Sequence, residues 1–443
     1  MATEHLSPLD LAFWRIESAD HPMHLGALAV FRAAGPGAAE RAAELLIARC
    51  TAVPRLRRRI HDVLLPVGAA AWSPDPGFDP ARHVFLVRTE EAVPHAAAGP
   101  LMARPLDRAL PPWEAHVLAG PDPDSFAVLF KFHHALADGL GALALAATLF
   151  DEGTAPRPPA RPVPEQRAGS LLRRLPGVLA ARVQDVGQAL EIGAAVARAG
   201  LPLGVPAALT ADSTGAGARE VACLALDLDE VNLVRKGAGG TVNDVLIALV
   251  AGALRRWLAE RGDPEPWGAG PRALIPVSRR RGPGGAGGAG GAGNRLSGYL
   301  LRLPLAESDP LGRLDRVRAA MDRNKDAGPA RGAGAVALLA DHVHPLGHRL
   351  GGPLVAQAAR LLFDILVTSV PLPGFTFTLG GSAVREVYPL APLARGQSLA
   401  VAVSTYKGTV HYGLVADAAA VPDLEALAGA LRAELDALVR EVS

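Results

Sequence analysis

The chain has 443 residues, 49% of them hydrophobic, which is enough apolar material for more than one domain. Lys and Arg (45) almost balance Asp and Glu (44), and aromatic residues make up only 5%, so nucleic acid is not expected as a partner. Only two cysteines occur, Cys50 and Cys223, which excludes a disulfide scaffold or a cysteine zinc cluster and fits a reducing cytosol.

The first part of the chain has a mixed α/β pattern. Met23–Phe31 is apolar enough for a short strand, and Ala38–Cys50 has helical spacing. The alternation of Phe126–His134 predicts another strand, with its phenylalanines on one face. A helix over Leu140–Phe150 follows at once, and Asp138 is well placed as its N-cap.

A segment rich in Pro and Arg interrupts this pattern. Pro156–Pro164 has the composition of a linker, and Leu171–Ala199 is predicted to form a basic helix. That helix is either a solvated crossover between two halves or a helix that seeks anionic lipid. We therefore divide the chain into an N-terminal lobe (1–155), a linker with its crossover helix (156–218) and a C-terminal lobe (219–443).

The last part of the chain repeats the α/β pattern. Long helices are predicted for Thr241–Leu258 and from Pro422 onwards, the second with a leucine stripe. The almost pure Gly/Ala stretch Gly282–Gly293 is expected to be structureless. Lys407–Gly408 indicates a hairpin turn between the last two strands. The predicted strands are Val221–Leu228, Arg272–Val277, Leu296–Leu305, Leu399–Tyr406 and Thr409–Ala416.

The most informative residues stand where a predicted strand ends and a helix begins. They are His133-His134-Ala135-Leu136-Ala137-Asp138-Gly139. Strand ends in α/β proteins open onto crevices, and a neutral imidazole there can take a proton from a hydroxyl. Strand parity places His134 on the phenylalanine face and His133 on the opposite face, so the two histidines are expected to differ in role.

Less specific interpretations exist for each part of this pattern. A histidine at a strand end is most often structural, and Asp138-Gly139 alone is a helix cap or a turn. A metal site built on the two histidines and Asp138 lacks a further ligand at a matching spacing, so no metal is expected. The whole seven-residue pattern in a strand–turn–helix setting is more specific than its parts.

The pattern HHxxxDG resembles the signature of the CoA-dependent acyltransferase superfamily, which includes chloramphenicol acetyltransferase. The flanking sequence is similar to the bacterial wax ester synthase/diacylglycerol acyltransferase family, from residue 6 to about residue 438. The matching blocks are Leu6-Ser7-Pro8-Leu9-Asp10, Pro22-Met23-His24, Pro105-Leu106-Asp107-Arg108, Pro112-Trp113-Glu114, Thr241-Val242-Asn243-Asp244, Gly293-Asn294-Arg295, Gly413-Leu414-Val415-Ala416-Asp417 and Val421-Pro422-Asp423.

The resemblance implies an architecture and a reaction. Two similar chloramphenicol-acetyltransferase-like α/β lobes, each a mixed sheet with flanking helices, would enclose an active-site channel. His134 would act as general base on a lipid alcohol, diacylglycerol or a fatty alcohol, which attacks an acyl-CoA co-substrate. Asp138 and Gly139 would hold the turn, with His133 supporting. Asn243 and Asp244 would support the site, although a helix N-cap explains them equally well.

The chain departs from the family pattern at three places. Pro112 stands where the family has Leu before Trp113, Ser369 stands where it has Asn, and Leu372 replaces a Gly. These changes bear on substrate preference more than on the type of reaction. Two alternatives remain at this point: a condensation-type acyltransferase that uses a carrier-protein thioester, and a lipid-binding protein that has lost catalysis.

The location of the protein is inferred from hydropathy. Mean hydropathy is +0.20, yet no uninterrupted apolar run reaches the ~18 residues of a membrane span. Glu4, Asp10 and Arg15 interrupt the first apolar stretch, so no signal peptide is expected. We expect a cytoplasmic protein, bound peripherally to the inner membrane or to lipid inclusions, with no bound cofactor.

Overall fold

The computed structural model describes residues 4–64, 67–91, 94–151, 209, 218–263, 270–278, 296–327 and 363–443. The predicted linker, its helix Leu171–Ala199 and the Gly/Ala-rich stretch Gly282–Gly293 lie outside the described residues. The described part contains two six-stranded mixed sheets and a small three-stranded sheet. Helices flank both large sheets, so the α/β fold class with two lobes is confirmed.

The first half of the chain builds most of one lobe. Its strands are β1 Glu4–His5, β2 His24–Arg32, β3 Arg58–Asp62, β4 Ala70–Pro74, β5 Val84–Arg88, β6 Trp113–Ala119 and β7 Ser125–His133. Its helices are α1 Pro8–Ile16, α2 Ala38–Cys50, α3 Pro94–Ala103 and α4 Gly139–Ala147. The predicted strands and helices in this half are confirmed within a few residues at each end.

The second half builds the other lobe. Its strands are β8 Arg219–Asp227, β9 Arg272–Ser278, β10 Leu296–Arg302, β11 Ile365–Pro371, β12 Thr378–Leu379, β13 Ser382–Leu390, β14 Leu399–Tyr406 and β15 Thr409–Asp417. Its helices are α5 Leu228–Ala238, α6 Val242–Glu260, α7 Pro310–Ala327 and α8 Leu424–Val442. Within the described ranges no single helix is long and apolar enough to cross a membrane; α5 and α6 would meet those criteria only as a pair bent by 99°.

Local signals explain why the elements of the second lobe form. Thr241 and Asp244 build a reciprocal capping box at the start of α6, and the leucine stripe of α8 is buried in the core of this lobe. β14 and β15 form the predicted hairpin, because Lys407 and Gly408 adopt φ angles of 49° and 79° at its turn. The core thus lies between the sheet and helices α5–α8.

The order of strands in the sheets differs from the predicted division of the chain. One sheet has the order β10-β9-β11-β14-β15-β8, and the other has β12-β13-β2-β7-β6-β5. β12 and β13 belong in sequence to the predicted C-terminal lobe (219–443), but β13 pairs antiparallel with β2 of the first lobe. In space, β12 and β13 therefore extend the sheet of the first lobe, and the division of the chain at residues 155 and 218 stays a prediction.

A hydrogen bond from a buried, ion-paired arginine and a close backbone approach join the two lobes. Arg219 on β8 donates to the carboxylate of Asp417 at 3.0 Å and to the carbonyl of Asp20 at 2.8 Å, and both charged side chains are buried. At Gly413 on β15 an added Cβ would lie only 2.1 Å from the carbonyl oxygen of Pro389 on β13. Only glycine therefore lets β15 approach β13 this closely.

Replacement of Asp417 by asparagine should destabilise the fold strongly. Arg219 would keep a buried charge without its counter-ion, so the free energy of unfolding should fall by about 3 to 5 kcal/mol in urea denaturation. Glu40→Gln serves as the control, because Glu40 pairs with Arg88 on the exposed surface and should change stability by less than about 1 kcal/mol. An equal loss of the free energy of unfolding in the two variants would show that the buried ion pair contributes no more to stability than the exposed one.

Candidate active site

The two histidines lie at the end of β7, the central strand between β2 and β6. Every residue of β7 after Ser125 is buried, because both faces of the sheet are covered in this lobe. Phe130, Phe132 and His134 all line one large cavity. Lys131 and His133 face the opposite side and are fully buried. Strand parity therefore separates the two histidines as the sequence predicts.

His134 stands at the wall of the cavity, just beyond the last residue of β7. Its backbone N–H extends the ladder with β2 by donating to the carbonyl of Met23 at 2.9 Å. Its ring stacks on Phe13 of α1, with ring centroids 3.9 Å apart and planes 18° from parallel. Burial lowers the pKa of His134 to about 4; a hydrogen bond between its ring and its own backbone opposes this shift, and so does the charge of Asp138. The imidazole is therefore neutral at pH 7.

His133 is held from two sides and does not reach the cavity. The backbone N–H of Ala135 donates to its Nδ1 at 3.0 Å, so the ring proton of the neutral form is on Nε2. That Nε2 lies 3.5 Å from a carboxylate oxygen of Glu17. Arg108 lies 3.7 Å from the same carboxylate and over the ring of Trp14, which meets His133 edge-on. The tautomer and orientation of His133 are thereby set.

Glu17 is the central group behind the histidine pair. Burial alone would raise its pKa, but the interaction with His133, a hydrogen bond from the backbone N–H of Met23 at 3.1 Å and the charge of Arg108 hold the pKa below its usual range. Glu17 is thus ionised at neutral pH. Its charge faces His133 and lies on the side of β7 away from the cavity.

Asp138 and Gly139 shape the turn that follows the histidines. Asp138 is the N-cap of α4, and its carboxylate accepts a hydrogen bond from the backbone N–H of Gly141 at 2.7 Å. Gly139 lines the cavity, and a Cβ at this position would touch the side chain of Val370 on β11 at 3.4 Å. This turn is where the first lobe meets strand β11 of the second lobe.

Asn243 and Asp244 lie at the start of α6 and are not among the residues that line the cavity. The carboxylate of Asp244 accepts from the backbone N–H of Thr241 at 2.8 Å and from its hydroxyl at 2.7 Å. These contacts complete a helix cap. The structure therefore favours the capping interpretation of this pair and does not bring it to His134.

The cavity has a volume of about 240 Å³ and lies between the two lobes. Most of its wall is aliphatic or aromatic, and its polar side chains are those of His134, Thr368, Gln397 and Ser404. The hydroxyl of Ser404 already donates to the carbonyl of Val387 at 2.6 Å. Thr368 and Gln397 are thus the other polar side chains that the second lobe contributes to the cavity wall.

Two departures from the family pattern, Ser369 and Leu372, lie on and just after β11. Ser369 is exposed and points away from the cavity, whereas Thr368 and Val370 line it. Leu372 also lines the cavity, so a leucine in place of glycine fills part of its volume. Among the described residues no group of three or more His, Cys, Asp or Glu side chains is placed to hold a metal ion.

Sequence reasoning missed several residues of this site. Phe13, Trp14 and Glu17 lie on or just after α1, and Thr368 and Gln397 come from the second lobe. The only local signal was the Ser7-Pro8 start of α1, a capped helix whose aromatic residues had no assigned partner. Nothing local to β11 marks Thr368, because its importance depends on which strand faces the cavity.

Comparisons with known proteins agree with this geometry. Residues 6–246 match the wax ester synthase/diacylglycerol acyltransferase catalytic domain, and residues 292–439 match the WS/DGAT C-terminal domain. The chain is 30% identical to a probable diacylglycerol O-acyltransferase of Mycobacterium tuberculosis, tgs2, over 99% of both chains. The chain belongs to the wax ester synthase/diacylglycerol acyltransferase family, and it is an acyltransferase.

Solved structures share the fold. The wax ester synthase/diacylglycerol acyltransferase from Marinobacter aquaeolei VT8 aligns with a TM-score of 0.71 at 22% identity, covering 99% of both chains. The first condensation domain of the CDA synthetase aligns with a TM-score of 0.58 at 16% identity, covering 100% of this chain and 97% of that one. The two-lobed arrangement is therefore common to acyltransferases and condensation domains.

The pKa of His134 can be measured directly. In NMR titrations of histidine-labelled protein, with His134→Asn used for assignment, the His134 ring should titrate near pH 4. Phe13→Ala removes the stacked ring and admits water, so the same resonance should move up toward about 6.5, the value for a solvated histidine. A wild-type midpoint near that ordinary value would contradict the burial of this imidazole.

Proposed function

We propose that the protein transfers a long-chain acyl group from acyl-CoA to a lipid alcohol, with His134 as the general base. The observation that carries this proposal is a neutral imidazole at the wall of a largely apolar cavity between the lobes. Such a group can accept a proton at neutral pH, and the surrounding apolar surface suits long acyl chains.

The reaction needs one proton acceptor and a polarised thioester. The hydrogen bond between the ring of His134 and its own backbone favours the charged form, which means that a ring N–H donates to the carbonyl. The other ring nitrogen keeps its lone pair and takes the proton of the acceptor hydroxyl. The hydroxyl oxygen then attacks the thioester carbon, the C–S bond breaks, and the leaving thiolate of CoA receives the proton from His134.

The neighbouring residues act as positioning groups in this proposal. Asp138 caps α4 and fixes the turn, which supports a structural role for the carboxylate. His133 and Glu17 lie behind the turn, where the carboxylate of Glu17, 3.5 Å from Nε2, helps to hold the His133 ring in place. Asp244 supports the start of α6 through the helix cap that it forms with Thr241, and neither it nor Asn243 lines the cavity.

Thr368 is proposed to stabilise the negative charge that develops on the thioester oxygen. It is a hydroxyl on the cavity wall opposite the first lobe, two residues before Val370, which packs beside Gly139 at the histidine turn. A donor aimed at a developing oxyanion in an apolar site has a large effect on rate. Ser404 is less suited, because its hydroxyl is already bonded to a backbone carbonyl.

The proposed acceptor and donor are inferred from the proteins to which the chain is similar. Its curated relatives are named diacylglycerol O-acyltransferases, and the family name includes wax ester synthesis, so diacylglycerol or a fatty alcohol is the proposed acceptor. Acyl-CoA is the proposed donor. The similarity to condensation domains concerns the fold, and a direct comparison of acyl-CoA with acyl-carrier protein separates the two donors.

We also propose that the protein works in the cytoplasm, at the surface of the inner membrane or of lipid inclusions. Both the proposed acceptor and the proposed product are too apolar to be dissolved at useful concentrations in water. An enzyme that acts on them gains access by binding the lipid surface in which they are dissolved.

Replacement of His134 by alanine should lower the turnover number by about 10²- to 10⁴-fold, because no other neutral base lines the described cavity. The measurement is CoA release from palmitoyl-CoA with diacylglycerol or hexadecanol, together with thin-layer analysis of the ester. His83→Gln is the control, since His83 is a buried histidine stacked on Trp113 outside the cavity. Wild-type turnover in a folded His134→Ala protein would refute the assignment.

Replacement of Thr368 by valine should lower kcat by about 10²-fold while KM for acyl-CoA changes little, because a hydroxyl that acts on the oxyanion is used only in the transition state. Valine preserves the shape of threonine. Ser404→Ala, on the same cavity wall, should keep kcat within a few-fold of wild type. If the effects on kcat are reversed between these two variants, Ser404 rather than Thr368 serves the oxyanion.

A further inference from the structure

The ring of Phe13 covers one face of the His134 imidazole. The two ring centroids lie 3.9 Å apart and the ring planes are 18° from parallel, which is a stacked arrangement. The lone pair of an imidazole nitrogen lies in the plane of the ring, so stacking leaves the ring edge open. Both side chains line the cavity. A hydroxyl can therefore reach His134 from the cavity, past the ring edge, but not across the face that Phe13 occupies.

The position of Phe13 is fixed by its neighbours in α1. The carbonyl of Trp14 accepts a hydrogen bond from the guanidinium of Arg108 at 2.9 Å. The next residue, Arg15, donates to the carbonyl of Gly68 at 3.0 Å. These contacts tie the end of α1 to the first lobe. The Phe13 ring is thereby held in place over the imidazole.

Phe13 belongs to a small apolar cluster that is separate from the cores of the two lobes. Leu9 and Ala12 are its buried members, and Phe13 packs against them while remaining half-buried itself. Neither Leu9 nor Ala12 lines the cavity. Loss of the Phe13 ring would therefore uncover the imidazole and leave the rest of the cluster in place.

The cavity offers a water molecule few hydrogen-bond partners. A buried water is stable where it finds about two to four polar partners. The hydroxyl of Ser404 is already bonded to a backbone carbonyl, and the side-chain carbonyl of Gln397 accepts from the backbone N–H of Ala394 at 3.2 Å. Apart from His134, the described wall then offers only the hydroxyl of Thr368 and the amide N–H groups of Gln397. Apolar substrates match this wall better than water does.

We propose that Phe13 makes the site select an alcohol over water as the acyl acceptor. Because its ring covers His134, the base is reached only from the cavity, which the apolar substrates fill and from which they displace water. Water is far more concentrated than any lipid alcohol, so preferential binding of the alcohol does not by itself suppress hydrolysis. The inference rests on the proposed function and concerns the acceptor specificity of the same site.

Without the Phe13 ring, the same groups would hydrolyse acyl-CoA. His134 would take a proton from water, and the resulting hydroxide oxygen would attack the thioester carbon. The C–S bond would break, and the leaving thiolate of CoA would receive the proton from His134. The products would be a fatty acid and free CoA. A thioesterase activity is thus latent in this site.

Product analysis with the full-length protein tests the inference. Palmitoyl-CoA is supplied with and without hexadecanol, and palmitic acid and ester are quantified by thin-layer analysis. Wild type is compared with Phe13→Leu, Phe13→Val and Phe13→Ala at about pH 8, where even a solvated histidine, with a pKa of about 6.5, is neutral. The ratio of acid to ester should rise in that order, by about tenfold or more in the alanine variant. A ratio that stays constant across the series would overturn the inference.

Leu9→Ala is the matched control. Leu9 lies one turn before Phe13 on α1 and belongs to the same cluster, but it does not line the cavity. Its truncation weakens the packing of the helix without uncovering His134, so the ratio of acid to ester should stay within about twofold of wild type. An equal rise in Leu9→Ala and Phe13→Ala would show that a loosened helix admits water, and it would overturn the inference.

Chemical modification measures access to His134 independently of the reaction. Diethyl pyrocarbonate, which acylates neutral imidazoles, should modify His134 several-fold faster in Phe13→Ala than in wild type, with peptide mass spectrometry giving the rates. His61, exposed on β3, should be modified at the same rate in both proteins. An unchanged rate at His134 would overturn the inference whatever the activity. Absence of ester from wild type would instead refute the proposed function.

Discussion

The antiparallel pairing of β13 with β2 is the contact on which the site depends. β13 comes late in the chain, yet it extends the sheet of the first lobe, and it packs directly against β14 and β15 of the second sheet. Val384, Val387 and Leu390 of this strand line the cavity. Without this exchange of a strand the cavity would lose one of its walls.

The faces of β7 show how one strand serves two purposes. One face presents Phe130, Phe132 and His134 to an apolar cavity. The other face buries Lys131, whose ammonium donates to the carbonyl of Arg104 at 2.8 Å and lies 3.3 Å from Glu114. Burial alone would raise the pKa of Glu114, but its contacts with His116 and Lys131 lower it to about 2.

This buried charge has a physical consequence for the site. A lysine and a glutamate in the interior are costly unless they are paired, and the pairing requires fixed geometry. Lys131 and His133 make their contacts on that face, and β7 is paired with β2 on one side and β6 on the other. The end of β7 is therefore held in place just before His134. The cavity on the apolar face can then remain open, because the position of His134 does not depend on side chains that would fill the cavity.

Much of the fold followed from patterns within short windows of sequence. Alternation placed β7 and its two faces, the capping box of Thr241 marked α6, and Lys407-Gly408 marked the β14–β15 hairpin. The same reasoning missed the three-stranded sheet of β1, β4 and β3, because its strands are two to five residues long. Short strands carry too few alternating positions to stand out.

The histidine turn, its faces and the family resemblance were determined by the sequence itself, because each depends on neighbouring residues. The environment of the turn was decided only by tertiary structure. Glu17 and Phe13 reach the histidines from α1, and Thr368 reaches the cavity from β11. These side chains meet because strands pair and helices pack across long separations in the chain. A short stretch of sequence does not show which distant residue becomes a neighbour. Backbone pairing between strands, such as that of β13 with β2, determines it.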